Sequence, residues 1–324
     1  MTRLNRRAFV TAAAASILLP RRAFAAFPDR PITVIVPYAA GGAGDVLTRL
    51  ISDAMEKKLG QPIVIDARGG GGGMIGAKAV ASAAPDGHTL MMGATNNFVI
   101  NQFMFPKTSF DPLTEFVPIT KVAVVPSVMY MNPAVPAKTL GEFVAYAKAN
   151  PGKLSYSSPS VGTTPHLAVE RLKQLTGIEL VHVPYRGAPP AMQALITGDV
   201  QLYLAGWGVG RAFVDSGKAK ALAVASEKRL PNVPDVPTAS ESGVPGYVAE
   251  NWWGLAAPKG TPQPVIDALH EAVRAALQDP TVAKKLSELG YLPGGESPAQ
   301  FAKDAKAEAD IWRNTVAKGK LAVD

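Results

Sequence analysis

Two short stretches of this chain carry residue types suited to holding an anion. The first is Gly41-Gly42-Ala43-Gly44-Asp45, which follows the β-branched run Thr33-Val34-Ile35-Val36 and precedes the helical spacing Val46, Leu47, Leu50, Ile51. A strand, a glycine loop and a helix start follow in order. A helix start leaves backbone N–H groups without helical acceptors, and the helix dipole behind them favours negative charge. Glycine lets a ligand approach the main chain closely. The second stretch, Ser157-Ser158-Pro159-Ser160-Val161-Gly162-Thr163-Thr164-Pro165, has the same placement and adds neutral hydroxyl donors. A hydrogen bond to a charged group contributes roughly 1.5–3 kcal/mol. Four of them approach the ~8 kcal/mol of micromolar affinity before ordering costs. A carboxylate therefore needs no buried arginine here. Plain helix capping is the competing reading of both loops.

Other chemistries fail at a required residue. The histidines His88, His166, His182 and His270 are widely spaced, with no paired metal-binding pattern. His182 falls in a strand-like run and His270 on a helical pattern, so both are expected to serve packing. Ser160-Val161-Gly162 has part of a nucleophile elbow, but Ser158 stands where that motif needs its first glycine. The run Gly69 to Gly73 lacks the lysine and hydroxyl ending of a phosphate-binding P-loop. With no cysteine there is neither a disulfide nor a thiolate site. No catalytic residue, metal or cofactor is assigned.

The start of the chain reads as a targeting segment. Residues 1–25 hold a basic stretch with Arg6-Arg7, the apolar run from Ala8 to Leu19, and the cleavage-like Ala23-Phe24-Ala25. Arg6-Arg7-Ala8-Phe9-Val10 resembles a twin-arginine export signal; general secretion is the alternative. The run is too short to span a bilayer of about 30 Å. A periplasmic product is expected. The segment carries 5 of the 33 basic residues and no acid, which leaves 28 basic against 26 acidic side chains, about +2. That balance gives no reason to expect nucleic acid as a partner.

Positioning the two loops falls to alternating elements. Strand-like runs are expected at Ile32–Val36, Ile63–Ile65, Thr89–Met92, Val122–Met131, Leu154–Ser157, Leu180–Val183, Val200–Leu204 and Ala221–Ala225. Helical patterns fall at Val46–Leu59, Ile75–Ala84, Leu140–Ala149, His166–Leu175, Pro190–Thr197, Pro264–Leu277 and Ala299–Val316. Strands separated by helices of this length imply βαβ units and mostly parallel sheets, which bind ligands at the carboxyl ends of their strands. Pro126 inside the long run at 122–131 argues for an edge or a crossing between domains.

Taken end to end, the chain resembles the periplasmic receptors of tripartite tricarboxylate transporters, the Bug-type proteins. The resemblance rests on ordered segments: Pro31-Ile32-Thr33-Val34-Ile35-Val36-Pro37, Gly41-Gly42 with Asp45, Leu59-Gly60-Gln61-Pro62, Gly72-Gly73-Met74-Ile75-Gly76 and Pro85-Asp86-Gly87-His88-Thr89-Leu90. It continues through Pro151-Gly152-Lys153-Leu154, His166-Leu167-Ala168, His182-Val183-Pro184-Tyr185-Arg186-Gly187, and Trp253-Gly254 with Ala257-Pro258-Lys259-Gly260. Here Asp66-Ala67-Arg68 stands where the family commonly has Asn-Arg-Pro after an acid, which weakens any side-chain role there.

The resemblance implies an α/β type II periplasmic-binding fold, with two α/β lobes, a ligand cleft and two crossing segments. The expected division is residues 26–124 with 251–324 as lobe 1 and 125–250 as lobe 2, hinged at 122–130 and near Glu250. It implies a monomeric, non-enzymatic receptor that passes a small organic carboxylate to membrane permease subunits. One carboxylate would lie between Tyr38, Ala39, Gly41, Gly42 and Gly44 on one side and Ser158, Ser160, Gly162 and Thr163 on the other. Asn96 and Phe98 would form a further edge. Where amino-acid-binding members place an aspartate, this chain has Ala205-Gly206-Trp207-Gly208. Without an acid to meet an ammonium, Trp207 and Phe98 favour a carboxylate with an apolar or aromatic body, with a short aliphatic dicarboxylate second. The alternatives are an exported α/β hydrolase or transferase, which needs a nucleophile–base pair, and a receptor serving a sensor kinase.

Overall fold

The computed structural model describes residues 27–38, 40–108 and 110–323; the segment at 1–25 that the sequence reads as an export signal, and Ala39, lie outside them. The fold is mixed α/β. The parallel strands β1 (Ile32–Val36), β2 (Ile63–Ala67) and β3 (Thr89–Ala94) are joined by α1 (Ala43–Leu59) and α2 (Met74–Ala81). β4 (Phe116–Met131) leads to α3 (Leu140–Ala149). Then come β5 (Leu154–Ser158), α4 (Thr164–Thr176), β6 (Leu180–Pro184), α5 (Ala188–Thr197), β7 (Leu202–Gly206), α6 (Trp207–Asp215) and β8 (Lys220–Val224). The chain returns through β9 (Glu250–Pro258), α7 (Gln263–Gln278), α8 (Pro280–Glu288), the short β10 (Leu292–Pro293) and α9 (Pro298–Gly319).

One curled sheet runs in the order β2-β1-β3-β9-β4-β7-β5-β6, with β8 and β10 also on β4. β4 ties its two ends together. From Phe116 to Pro126 it pairs antiparallel with β9; from Ser127 to Met131 it pairs with β7 and β8. Pro126 sits at the changeover, aligned with Glu250 at the start of β9. A proline gives the ladder no N–H, so it fits the point where one partner ends and another begins.

The apolar side chains fill cores on both faces. Leu47, Ile51 and Met55 of α1 pack with Val34, Val36, Leu255 and Ile266. Leu167 and Leu172 of α4 join Tyr156, Leu202 and Leu204 in another cluster. Each such burial contributes roughly 1.5–3 kcal/mol. α9 buries Phe301, Ala305, Ala309, Trp312 and Val316 along one stripe, capped by the Ser297 hydroxyl, which accepts from Gln300 N–H. It lies against both β4, in the middle of the sheet, and α4.

Candidate functional site

Both anion-friendly loops lie at carboxyl ends of parallel strands and open helices. α1 begins after Gly42 and α4 after Thr163, and neither N-cap supplies a side-chain hydrogen bond. The first helical bonds run from Val46 N–H to Gly42 O and from Leu167 N–H to Thr163 O. The N–H groups of Ala43, Gly44 and Asp45, and of Thr164 and His166, precede those bonds and so have no helical acceptor. Pro165 has no N–H.

β9 brings the two helix starts together. Gly44 packs so closely on the Trp253 ring that a Cβ would fall inside the indole. Thr164 Oγ1 donates to Asn251 Oδ1 at 3.3 Å. Asn251 and Trp253 are alternate residues of one strand and share a face, about 7 Å apart at the usual rise. A carboxylate bridging two N–H donors spans about 8 Å between their nitrogens, allowing ~2.9 Å for each hydrogen bond. Both helix starts therefore sit against neighbouring same-face positions of β9. Phe105 packs between the second loop and the glycine run at 69–73: Cβ atoms built on Gly72 and on Gly162 would lie 3.4 and 3.5 Å from its ring.

Many of the expected ligand groups are occupied within the protein. Gly41 N–H donates to Asp45 Oδ2 at 2.9 Å. Arg49 and that N–H hold the buried Asp45 carboxyl below the usual carboxylate range. Gly162 N–H donates to His166 Nδ1 at 3.2 Å. The Ser158 and Thr163 hydroxyls both donate to Ser160 O, at 3.0 and 2.8 Å. Short polar side chains satisfy nearby backbone first, so a hydroxyl-rich loop closes on itself. Not engaged in this way are the exposed Gly42, the start of α1 at the buried Gly44, the hydroxyl of half-buried Ser160, and the N–H groups that open α4.

Tyr38 and Asn96 support the loop and are themselves engaged. The Tyr38 hydroxyl donates toward Asn96 Oδ1 and Asn97 Oδ1, at 2.6 and 2.9 Å. Asn96 Nδ2 donates to Gly72 O at 2.9 Å. Burial pushes the Tyr38 hydroxyl far above its ordinary pKa, so it stays a neutral donor. Its ring meets Trp253 edge-on, 5.3 Å between centroids.

The two expected aromatic walls are core residues. Phe98 is buried among Phe116, Trp252 and Phe301. Trp207 is buried with Val128, Tyr130 and Leu230, and its Cβ would lie 3.0 Å from one built on Gly290. A large ring beside a backbone turn is held by packing. Trp207→Phe therefore keeps ligand affinity within about twofold and costs about 1 kcal/mol of stability, read by calorimetry and urea titration.

One group of contacts was hidden by sequence distance. Ser158 Oγ lies 2.7 Å from His182 Nε2, 24 residues away. His182 stacks on His166 at 3.9 Å with a 12° interplanar angle, and on Tyr156 at 4.8 Å. Burial pushes His166 down to about 3 and His182 down to about 4. Ser158 is fully buried, so this serine–histidine contact presents no accessible nucleophile. Among the described residues, no group of three or more His, Asp or Glu side chains is placed to hold a metal ion. Nor is any described helix long and apolar enough to cross a membrane.

Comparison with known proteins places this site in context. Residues 47–320 match the tripartite tricarboxylate transporter family receptor. Protein BugT of Bordetella pertussis is 33% identical over 325 residues, covering 99% of each chain. A Rhodopseudomonas palustris protein solved with adipate is 33% identical with a TM-score of 0.84, over 91% of this chain and 99% of that one. MatC from Rhodopseudomonas palustris, solved with bound malate, is 36% identical with a TM-score of 0.81, over 90% of this chain and 100% of that one.

Proposed function

The chain belongs to the tripartite tricarboxylate transporter receptor family, and from that premise we propose that it captures a short aliphatic dicarboxylate in the periplasm and delivers it to the membrane permease of such a transporter. The family is one of solute-binding receptors, a non-enzymatic class. The observation that carries the reading is the convergence of two uncapped helix N-termini on one face of β9, at Trp253 and Asn251. One carboxylate takes the N–H groups at the start of α1 and of α4; Ser160 adds a hydroxyl. The aliphatic choice follows from Phe98 and Trp207, which are packed into cores, and from the adipate and malate held by the two relatives.

Residues 26–124 with 251–324 form lobe 1 and residues 125–250 form lobe 2. They close by bending near Pro126 and Glu250, where β4 changes partner. Closure is what a permease reads. Small-angle scattering then gives a smaller radius of gyration with ligand than without; superimposable curves would count against lobe closure.

The reading is tested by calorimetric titration with adipate, malate, succinate, benzoate and aspartate. Adipate, malate or succinate binds tightest, and benzoate and the ammonium-bearing dicarboxylate aspartate bind at least about tenfold more weakly, the worth of one good polar contact. Tightest binding of benzoate or aspartate would overturn the ligand class, and no binding by any of the five would overturn the carboxylate site.

A further inference from the structure

Beneath the second loop lies a column of three stacked rings, Tyr156 of β5, His182 of β6 and His166 of α4. Its two imidazoles reach opposite ends of the loop. His166 Nδ1 accepts the Gly162 N–H, so its lone pair is there and its proton is on Nε2. Ser158 has one hydroxyl proton, which goes to Ser160 O at 3.0 Å. Its oxygen is then left to accept from His182, whose Nε2 lies 2.7 Å away and must carry the proton. The loop thus fixes His166 as the neutral Nε2–H tautomer and requires a proton on Nε2 of His182, which burial keeps neutral.

We propose that His166 and His182 are positioning residues for ligand capture, a stacked neutral pair that holds segment 158–164 so that the start of α4 faces the carboxylate. The inference rests on the proposed carboxylate reading for its effect on affinity, and on geometry alone for its effect on the loop. Gly162 supports it: its φ of +79° is a left-handed conformation, and its N–H is turned down onto His166 rather than outward. Two imidazolium rings 3.9 Å apart would repel, so the stack itself requires that at least one ring be neutral.

The surrounding charges are few and are matched. Glu170 of α4 accepts from the Tyr156 hydroxyl at 2.6 Å and from Lys173 Nζ at 2.8 Å. Glu170 favours and Lys173 disfavours a charge on His182, while Lys173 and His182 both disfavour one on His166. Ser158 and the second ring complete the neighbours. Among the described residues, Glu170 is the anion that favours a charge on His182, and it is already engaged by Tyr156 and Lys173, so burial prevails and the column works in the neutral form.

The test separates the loop from the ligand. Nitrogen-15 NMR of the imidazoles in the wild-type protein, from pH 8 to 5, shows two neutral rings protonated on Nε2. An Nδ1-protonated His166, or an imidazolium at either site, would overturn the proposal. His166→Asn keeps an acceptor near the Nδ1 position, whereas His166→Leu removes it. Hydrogen exchange of the Gly162 amide speeds at least about tenfold in the leucine variant and stays near wild type in the asparagine one. Adipate binding falls about 10–100-fold in His166→Leu and is restored within a few-fold in His166→Asn. His182→Gln, which keeps a donor near Nε2, stays within a few-fold of wild type and stands in if the leucine variant fails to fold. Wild-type affinity and Gly162 exchange in His166→Leu, or no rescue by either conservative variant, would contradict the assignment. If the wild type takes up no adipate, malate or succinate, the carboxylate reading falls, while the tautomer and exchange results still decide the role of the two histidines.

Discussion

Gly44→Val lowers the affinity for adipate by at least about 100-fold, with a loss of stability of about 1–3 kcal/mol. Gly44 is the second residue of α1, and its Cα rests on the six-membered ring of Trp253. Any side chain there must push the helix start off the indole by about 1 Å to regain ordinary contact. That shift moves the N–H groups of Ala43, Gly44 and Asp45 away from their shared target. Two hydrogen bonds to a carboxylate, each worth roughly 1.5–3 kcal/mol, are lost together. Gly60→Ala is the control. Gly60 ends the same helix with φ of +72° and open space around it, so alanine strains the backbone without touching the site. It costs about 1 kcal/mol and leaves adipate affinity unchanged. If Gly44→Val binds as well as Gly60→Ala, the start of α1 is not part of the site.

The second large effect is a loss of stability in acid that traces to the histidine column. An unfolded histidine takes up its proton near pH 6.5, while folded His182 resists until about 4 and folded His166 until about 3. Between those values the unfolded chain binds more protons, so stability falls as pH drops from about 6.5 to about 4, by up to about 1.4 kcal/mol per pH unit for each ring. His182 is partly solvent-reachable, which trims its share to about 2–3 kcal/mol. Glu250 and Glu308 act in the opposite direction, since burial raises both and folding then favours their protonated forms. The comparison that isolates the histidine is therefore wild type against His182→Gln. Urea titrations at pH 7 and at pH 4.5 give the variant a smaller drop than the wild type; equal drops would mean that His182 titrates normally in the folded protein.

How much of this could be read from the residues varied with the kind of signal. The parallel strands β1, β3, β5 and β6 were legible as short apolar runs set between helical patterns and turn residues, not by alternation, since β1, β3 and β5 are buried almost throughout. β9 escaped because Trp252-Trp253-Gly254-Leu255-Ala256-Ala257 is buried on both faces and shows no alternation. α6 escaped because Gly208 and Gly210 lower its helical propensity. Gly210 is there to admit the Tyr130 ring, a reason that lies in β4 and not in the helix itself. The site shows the same division. Both loops stood out by composition, and each does open a helix, at Ala43 and at Thr164. Composition could not show that Gly41, Gly162, Ser158 and Thr163 spend their donors inside the protein. Nor could it show that Asn251 and Trp253, far along the chain, are the floor on which the two helix starts meet. An Asn and a Trp at alternate positions of a strand were the only trace of that floor.

In the proposed site one carboxylate is shared by the starts of α1 and α4. It is tested most directly by following backbone amides of nitrogen-15-labelled protein during titration with adipate, using selectively labelled glycine and threonine to mark Gly44 and Thr164. If the carboxylate is shared, both amides move downfield with one common saturation curve, and the Gly60 amide at the far end of α1 does not move. Movement at only one of the two helix starts, or different saturation at each, would contradict a carboxylate shared between them.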